Sequence, residues 1–188
     1  MSEQKEILRR EARKHRSWID SAMENPQAFV DRFIDSIKPE AGQVIAGYWP
    51  IGREIDPVPT MEALIERGHV CALPIIEKDT RALSFARWDK SVKLEQGAFG
   101  TLQPPADALV EPDILIAPLL AFDRRGYRLG QGGGYYDATL ADLRAKKAVL
   151  AVGLAYAEQA VLFNLPREDH DEPMDWVITP QGSHYFRD

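Results

Sequence analysis

The stretch APLLAFDRRGYRLGQGGGYYD, residues 117–137, carries the end of a strand, a glycine-rich turn and the start of a helix. It opens on the last residue of an apolar run, Ile114-Leu115-Ile116-Ala117, turns at Pro118 and crosses a charged corner at Asp123-Arg124-Arg125. Five of the 13 glycines of the chain then fall within nine residues: Gly126, Gly130, Gly132, Gly133 and Gly134. Two tyrosines and an aspartate close the stretch, and a helical pattern begins at Tyr135 or Tyr136. A strand, turn and helix in that order form the repeating unit of α/β sheets.

Glycine admits positive φ and puts no Cβ between the backbone and a ligand. Successive free N–H groups in such a loop make a concave anion site, and the helix that follows aims its positive end at the same place. Arg128 adds a planar donor suited to phosphate or carboxylate. A lone glycine triplet is usually a ligand-free turn. Here Arg128, Tyr135, Tyr136 and Asp137 cluster beside it, and polar groups gathered on a loop favour a site. Neither G-x-x-x-x-G-K-[ST] nor G-x-G-x-x-G is met, so spacing alone defines an anion-binding loop at a strand-to-helix junction.

The segment Phe122 to Asp137, FDRRGYRLGQGGGYYD, resembles the signature of the 5-formyltetrahydrofolate cyclo-ligase family, close to F-D-x-x-G-x-R-L-G-x-G-x-G-Y-Y-D. Every fixed position is met. The family commonly carries basic residues inside the loop where Gln131 and Gly133 stand here, and Ala138 replaces a frequent arginine. The resemblance implies that Arg128, Leu129, Gly130, Gln131, Gly132, Gly133, Gly134, Tyr135 and Tyr136 bind ATP. It gives Arg128, Tyr135 and Tyr136 catalytic roles, and it places Gln131, Gly132, Gly133, Gly134 and Tyr135 against the folate.

Weaker blocks extend the likeness over nearly the whole chain. Residues Ser2 to about Ala22 have a helical pattern with Leu8, Ala12, Ile19 and Ala22 as its apolar stripe. Lys5, Arg9, Arg13 and Arg16 share another face. Such a stripe is ordinarily solvated, yet the first sixteen residues carry six Lys and Arg against three Glu in a chain of net charge -6. Members of the family open with K-x-x-x-R, which implies ATP contacts for Lys5 and Arg9 and assigns none to Arg10, Arg13 or Arg16. Glu54, in Glu54-Ile55-Asp56 after a first strand and a Pro/Gly turn, matches the folate-binding glutamate of the family. Trp49 and Pro50 are candidates to pack on the flat ring, with ordinary core as the alternative for Trp49. In the ending, His170-Asp171 and Asp175 match the family's pattern, which is close to H-D-x-x-L/V-D. By resemblance Asp137 and Asp171 hold Mg²⁺, a hard cation that prefers carboxylate oxygen and disfavours the His170 imidazole.

The pattern predicts helices over Pro26 to Ile37, Pro59 to Arg67 and Tyr136 to about Lys147. It predicts strands over Val44 to Tyr48, Val70 to Leu73, Leu83 to Arg87, Ile114 to Ala117, Val149 to Leu154 and Trp176 to Thr179. Trp88 to Pro105 reads as irregular, and Ala160 to Leu165 as a packing segment. Alternation of this kind argues for an α/β fold with a mostly parallel central sheet. The resemblance makes it a three-layer, Rossmann-like sandwich, one domain over residues 1–188.

Length is that of one domain, and 45% hydrophobic with 28% charged residues is ordinary globular composition. The acidic balance, with a pI near 5.3, argues against nucleic acid as a partner. No run approaches a membrane span and the charged N-terminus lacks a signal core, so a cytoplasmic protein without a membrane partner, working as a monomer, is expected. Cys71 lies in Val70-Cys71-Ala72-Leu73 and reads as a buried strand thiol. The activity implied is the ATP- and Mg²⁺-dependent closure of 5-formyltetrahydrofolate to 5,10-methenyltetrahydrofolate. A sugar-phosphate isomerase or CoA-transferase type of site would instead need no ATP. A folate-storing module would not need Lys5, Arg9 or Asp137.

Overall fold

The computed structural model describes residues 3–19 and 25–187. Helices α1 (Glu3–Trp18) and α2 (Pro26–Ile37) precede strand β1 (Val44–Ala46), helix α3 (Val58–Glu66) and strands β2 (Val70–Ile75) and β3 (Ser84–Arg87). A short hairpin, β4 (Glu95–Gln96) with β5 (Leu102–Gln103), leads to β6 (Ile114–Ala117). A second hairpin, β7 (Ala121–Phe122) with β8 (Arg128–Leu129), leads to helix α4 (Tyr135–Lys146). Strands β9 (Leu150–Leu154), β10 (Trp176–Ile178) and β11 (Ser183–Tyr185) finish the chain.

Seven strands form one sheet in the order β11-β10-β9-β6-β1-β2-β3. The five inner strands run parallel, and the two edges, β3 and β11, pair antiparallel. Parallel strands covered on both faces read as unbroken apolar runs, and all four residues of β6 are buried. Strand period then sorts them by face. Ile114 and Ile116 join Phe29, Phe33, Met61 and Leu64 of α2 and α3, whereas Leu115 and Ala117 join Leu140 and Leu143 of α4. This gives the expected α/β layering, with a mixed, mostly parallel sheet between helices.

Helix α2 is set by Pro26 in its first turn, where a missing N–H costs nothing. It stops at Lys38, held left-handed at φ 50° just before Pro39, which disfavours helix at the preceding position. Helix α4 starts from Gly134, whose φ of 71° only glycine adopts without strain.

Several expectations change. The hairpin β7–β8 divides what reads as one long turn, and β4–β5 orders part of the irregular stretch. Strands of two residues carry no usable period, which hides them in the sequence. In the packing segment only Leu165 is deeply buried, while Leu162 and Phe163 are exposed. Ser2 and Ala22, the ends of the expected first helix, lie outside the described residues. Within α1 the stripe of Leu8 and Ala12 is half-buried on Ala121, Leu129 and Leu165. Its deeply buried residues are instead Lys5, Arg9 and Arg16. The reason is placement: α1 lies over the polar mouth of the glycine loop as well as over an apolar surface.

Candidate active site

Open parallel sheets present their ligand sites beyond the carboxyl ends of their strands. The segments after β1 and β6 bring Glu54 and the glycine loop there, and α1 closes over them. Asp123, the fixed acid of the signature, is 1% exposed and serves this architecture. Its Oδ1 accepts from the Arg125 and Tyr127 N–H groups at 2.9 and 3.1 Å, and its Oδ2 accepts from Leu165 N–H at 2.9 Å. The β7–β8 turn is thereby pinned to the loop that carries Asp171.

Along α1 the cations reach distant segments in sequence order. Lys5 Nζ donates to Asp171 Oδ2 at 2.5 Å and to Glu168 Oε2 at 2.9 Å. The ammonium holds the Glu168 carboxyl below its usual range, chiefly through that hydrogen bond. Arg9 Nε donates to the Gly130 carbonyl at 3.0 Å, and its guanidinium lies under Gly132. Arg13 donates to the side chain and carbonyl of Gln131, both at 3.2 Å. The Gln131 Nε2 donates in turn to Glu54 Oε1 at 3.2 Å, and Ile51 N–H donates to Glu54 Oε2 at 3.0 Å. Contacts therefore link Asp171 to Lys5, and Arg9 to Gly130, Gln131 and Glu54, with one turn of α1 joining Lys5 to Arg9.

Within the loop, Gly132 has φ 110°, and a Cβ there would stand 3.3 Å from Arg9 Cζ. A Cβ on Gly133 would stand 2.6 Å from the Tyr135 ring, which folds back over the loop. Leu129 is 2% exposed among apolar neighbours, so only its backbone is available to a ligand. Tyr136 is half-buried, and burial raises its hydroxyl pKa, with the Glu54 carboxylate adding to the rise and Arg128 opposing it. That hydroxyl stays a donor at any ordinary pH. Trp49 meets Trp88 edge-on at 6.2 Å and packs on the α2–α3 side of the core.

Arg128 is an internal tie, where the sequence suggests an open donor. Its side chain is 3% exposed, and its Nη1 lies 3.1 Å from Asp137 Oδ1 and 3.2 Å from the Glu172 carbonyl oxygen. Its Nε has no partner. Asp137 also accepts from Glu172 N–H at 3.1 Å, which ties α4 to the Asp171 loop. Farther along that loop Asp175, 1% exposed, accepts from Ala151 N–H at 2.6 Å and from Arg144 at 3.2 Å, and pairs with Arg187. Its match to the signature reflects this structural work.

Asp137 and Asp171 each keep one carboxylate oxygen outside these hydrogen bonds. Such oxygens suit Mg²⁺, and the Lys5 ammonium seated on Asp171 shows that positive charge is stabilised there. Glu168, His170 and Asp171 bring ligand-type atoms within 4.8 Å of one another, a group that does not include Asp137. A cleft of about 450 Å³ between β3 and the last turns of α4 contains none of these residues, so shape alone does not mark the site. No described helix is long and apolar enough to cross a membrane. Sequence reasoning set Arg13 and Arg16 on the face of Lys5 and Arg9 and gave them no ATP contact; in the fold Arg13 reaches Gln131 and Arg16 is buried.

The chain matches the NMR structure of 5,10-methenyltetrahydrofolate synthetase from Aquifex aeolicus with a TM-score of 0.79 and 28% identity, covering 98% of this chain and 93% of that one. It is thus an α/β protein of the methenyltetrahydrofolate synthetase fold. Residues 1–180 match the family described as the 5-formyltetrahydrofolate cyclo-ligase family. The 5-formyltetrahydrofolate cyclo-ligase of Haemophilus influenzae is 32% identical over 181 residues, which are 92% of this chain and 96% of that protein. The enzyme of that name from Mycolicibacterium smegmatis is 33% identical over 149 residues, 75% of each chain. The chain belongs to the 5-formyltetrahydrofolate cyclo-ligase family, and is accordingly an enzyme, a ligase of folate one-carbon metabolism.

Proposed function

We propose that the chain converts 5-formyltetrahydrofolate and ATP to 5,10-methenyltetrahydrofolate, ADP and phosphate, and that residues 1–188 do so as one domain, a cytoplasmic monomer. The observation that carries this reading is the set of contacts that runs from Asp171 to Lys5, along α1 to Arg9, and on through Gly130 and Gln131 to Glu54. It supports a continuous seat for a polyphosphate at one end and a hydrogen-bonding heterocycle at the other.

The chemical problem is a poor leaving group. A formamide oxygen does not depart, and N10 is a weak nucleophile toward a resonance-stabilised carbon. The formyl oxygen attacks the γ-phosphorus, the bond to the ADP oxygen breaks, and ADP leaves. N10 then attacks the activated carbon and gives up its proton, and the C–O bond breaks as phosphate departs with its electron pair and takes up that proton. The protein contributes positioning and charge neutralisation. Lys5, Arg9 and the N–H groups of Gly130 to Gly134 hold the triphosphate. Glu54 accepts from ring and amino N–H groups of the pterin, and Trp49 flanks its flat face. Tyr136 donates to the formyl region, and Tyr135 with Gln131 covers the reacting atoms. Arg128 acts mainly by holding Asp137. Asp137 and Asp171 are the residues that would hold Mg²⁺, which supplies charge screening of the phosphates.

The test is absorbance: protein, Mg·ATP and 5-formyltetrahydrofolate are mixed, and the methenyl chromophore is followed. Growth of the chromophore that stops when ATP is omitted is expected. A silent mixture in which both ligands bind normally would refute the reading in favour of folate storage.

A further inference from the structure

Arg16 differs from the other buried cations of α1. Lys5 and Arg9 are paired, but Arg16, 8% exposed, has a buried Nη1 with no hydrogen-bond partner among the described residues. Arginine keeps its charge in proteins, and a buried charge without hydrogen bonds is costly. Burial lowers the pKa of this guanidinium, and attraction from Glu54 opposes the drop. Arg13, one turn earlier on α1, reaches Gln131, whose amide donates to Glu54, so Arg16 is held near Glu54 with a desolvation penalty that this attraction offsets only in part.

Its neighbours are already engaged elsewhere. The Tyr48 hydroxyl donates to the Ile55 carbonyl at 2.7 Å. The oxygens of Glu54 accept from Ile51 and Gln131. Arg13 and Arg53 add only repulsion. What is left beside Glu54 is a free, fixed donor next to a carboxylate acceptor. An acceptor and a donor side by side complement a ring edge that offers N–H groups next to a carbonyl oxygen. Arg16 also lies on the helix face of Lys5, eleven residues on, or roughly 16 Å along the axis. One helix thus runs from the Asp171 end of the site to the Glu54 end.

Building on the proposed function, we infer that Arg16 is a specificity-determining residue that donates to the ring carbonyl oxygen of the pterin whose N–H edge Glu54 accepts. A charged donor to a buried carbonyl discriminates strongly against a ring in which that oxygen is replaced by an amine, because donor then faces donor.

The experiment compares wild type, Arg16→Met and Arg16→Lys. It measures KM for 5-formyltetrahydrofolate, KM for ATP, inhibition by the analogue with a 4-amino group in place of the 4-oxo group, and Tm. Arg16→Met is expected to raise KM for the folate about 10- to 100-fold. KM for ATP should stay within about twofold, and the preference for the 4-oxo ring should collapse. Tm should hold or rise, since a buried charge compensated only in part has been removed. Arg16→Lys keeps charge without the planar fork and should recover part of the preference. An Arg16→Met protein that melts lower or fails to fold would overturn the inference, because Arg16 would then be structural. Unchanged ring preference in a folded Arg16→Met would overturn it too. If wild type itself shows no turnover, the proposed function falls and takes this inference with it. If wild type turns over and only the ring preference ignores Arg16, the inference falls alone.

Discussion

Replacing Gly132 by alanine tests whether the loop backbone is the phosphate cradle. Gly132 sits at φ 110°, and the added Cβ would stand 3.3 Å from Arg9 Cζ and 3.4 Å from Arg9 Nε. An L side chain in left-handed backbone costs about 1–2 kcal/mol. If the Arg9 tip also yields, the 3.0 Å bond to the Gly130 carbonyl is disturbed, which adds roughly 1–2 kcal/mol for a charged donor. Each 1.4 kcal/mol is about a tenfold change in binding, so if the loop gives up its phosphate-binding shape to escape the whole of this roughly 2–4 kcal/mol, KM for ATP should rise between about thirtyfold and several hundredfold. Tm should fall by a few degrees, because whatever strain the loop keeps is carried by the folded chain. Gly182→Ala is the internal control: that glycine lies outside the loop, lacks a positive φ, and its Cβ would meet open space. It should leave KM for ATP within about twofold. The assay is initial rate of methenyl formation against ATP concentration, with direct nucleotide titration as a second reading. Equal KM values for the two alanine variants would refute the reasoning, since strain in the loop would then have no bearing on phosphate.

Gly126→Ala should act on stability alone, costing about 2–4 kcal/mol in a denaturant melt. Its Cβ would stand 2.8 Å from the Met174 carbonyl oxygen at φ 79°, and a backbone atom cannot swing aside; KM for ATP in the folded fraction should match wild type. Lys5→Met leaves the Glu168 and Asp171 carboxylates facing one another. Tm should fall, and millimolar Mg²⁺ should restore part of the loss by supplying a hard cation for those oxygens; no Mg²⁺ response in the variant would count against a cation seat there. Because the Lys5 hydrogen bond lowers the Glu168 pKa, its stabilisation is present above the ordinary value of 4.5 and lost as pH falls through the lower folded value. The Tm gap between wild type and Lys5→Met should therefore narrow in acid. Cys71 is buried against the Met61 carbonyl and burial pushes its thiol up to about 12. A thiol reagent at pH 8 should find no reactive group until the protein is unfolded. The native thiol retains its proton where the unfolded one loses it. That contribution to stability is full below the ordinary value of 9.0 and is lost as pH rises toward about 12.

The layers of this protein are written locally. The run Ile114 to Ala117 is apolar at every position because both faces are covered, and its period of two assigns each residue to a face. Pro26, Gly134 at the end of the triplet, and the Phe29–Val30–Phe33 spacing mark helix starts and core sides in the same local way. The loop from Gly130 to Asp137 was also legible as glycine-rich turn chemistry, whereas Lys5, Arg9, Glu54 and Asp171 were singled out only by resemblance to the family. Only the tertiary structure decided which way a charged helix face looks. Lys5, Arg9 and Arg16 have the spacing of a solvated stripe, and nothing within α1 says that the facing surface is polar protein instead of water. The partners that settle the matter lie 121 residues away for Arg9 and 166 for Lys5. The same distance in sequence conceals why Arg128 turns inward to Asp137 and Glu172, and why Asp123 and Asp175 are buried hubs. A local pattern reports hydrophobic periodicity and turn chemistry; the pairing of a charge with a distant acceptor, or the lack of one at Arg16, exists only once the chain has closed.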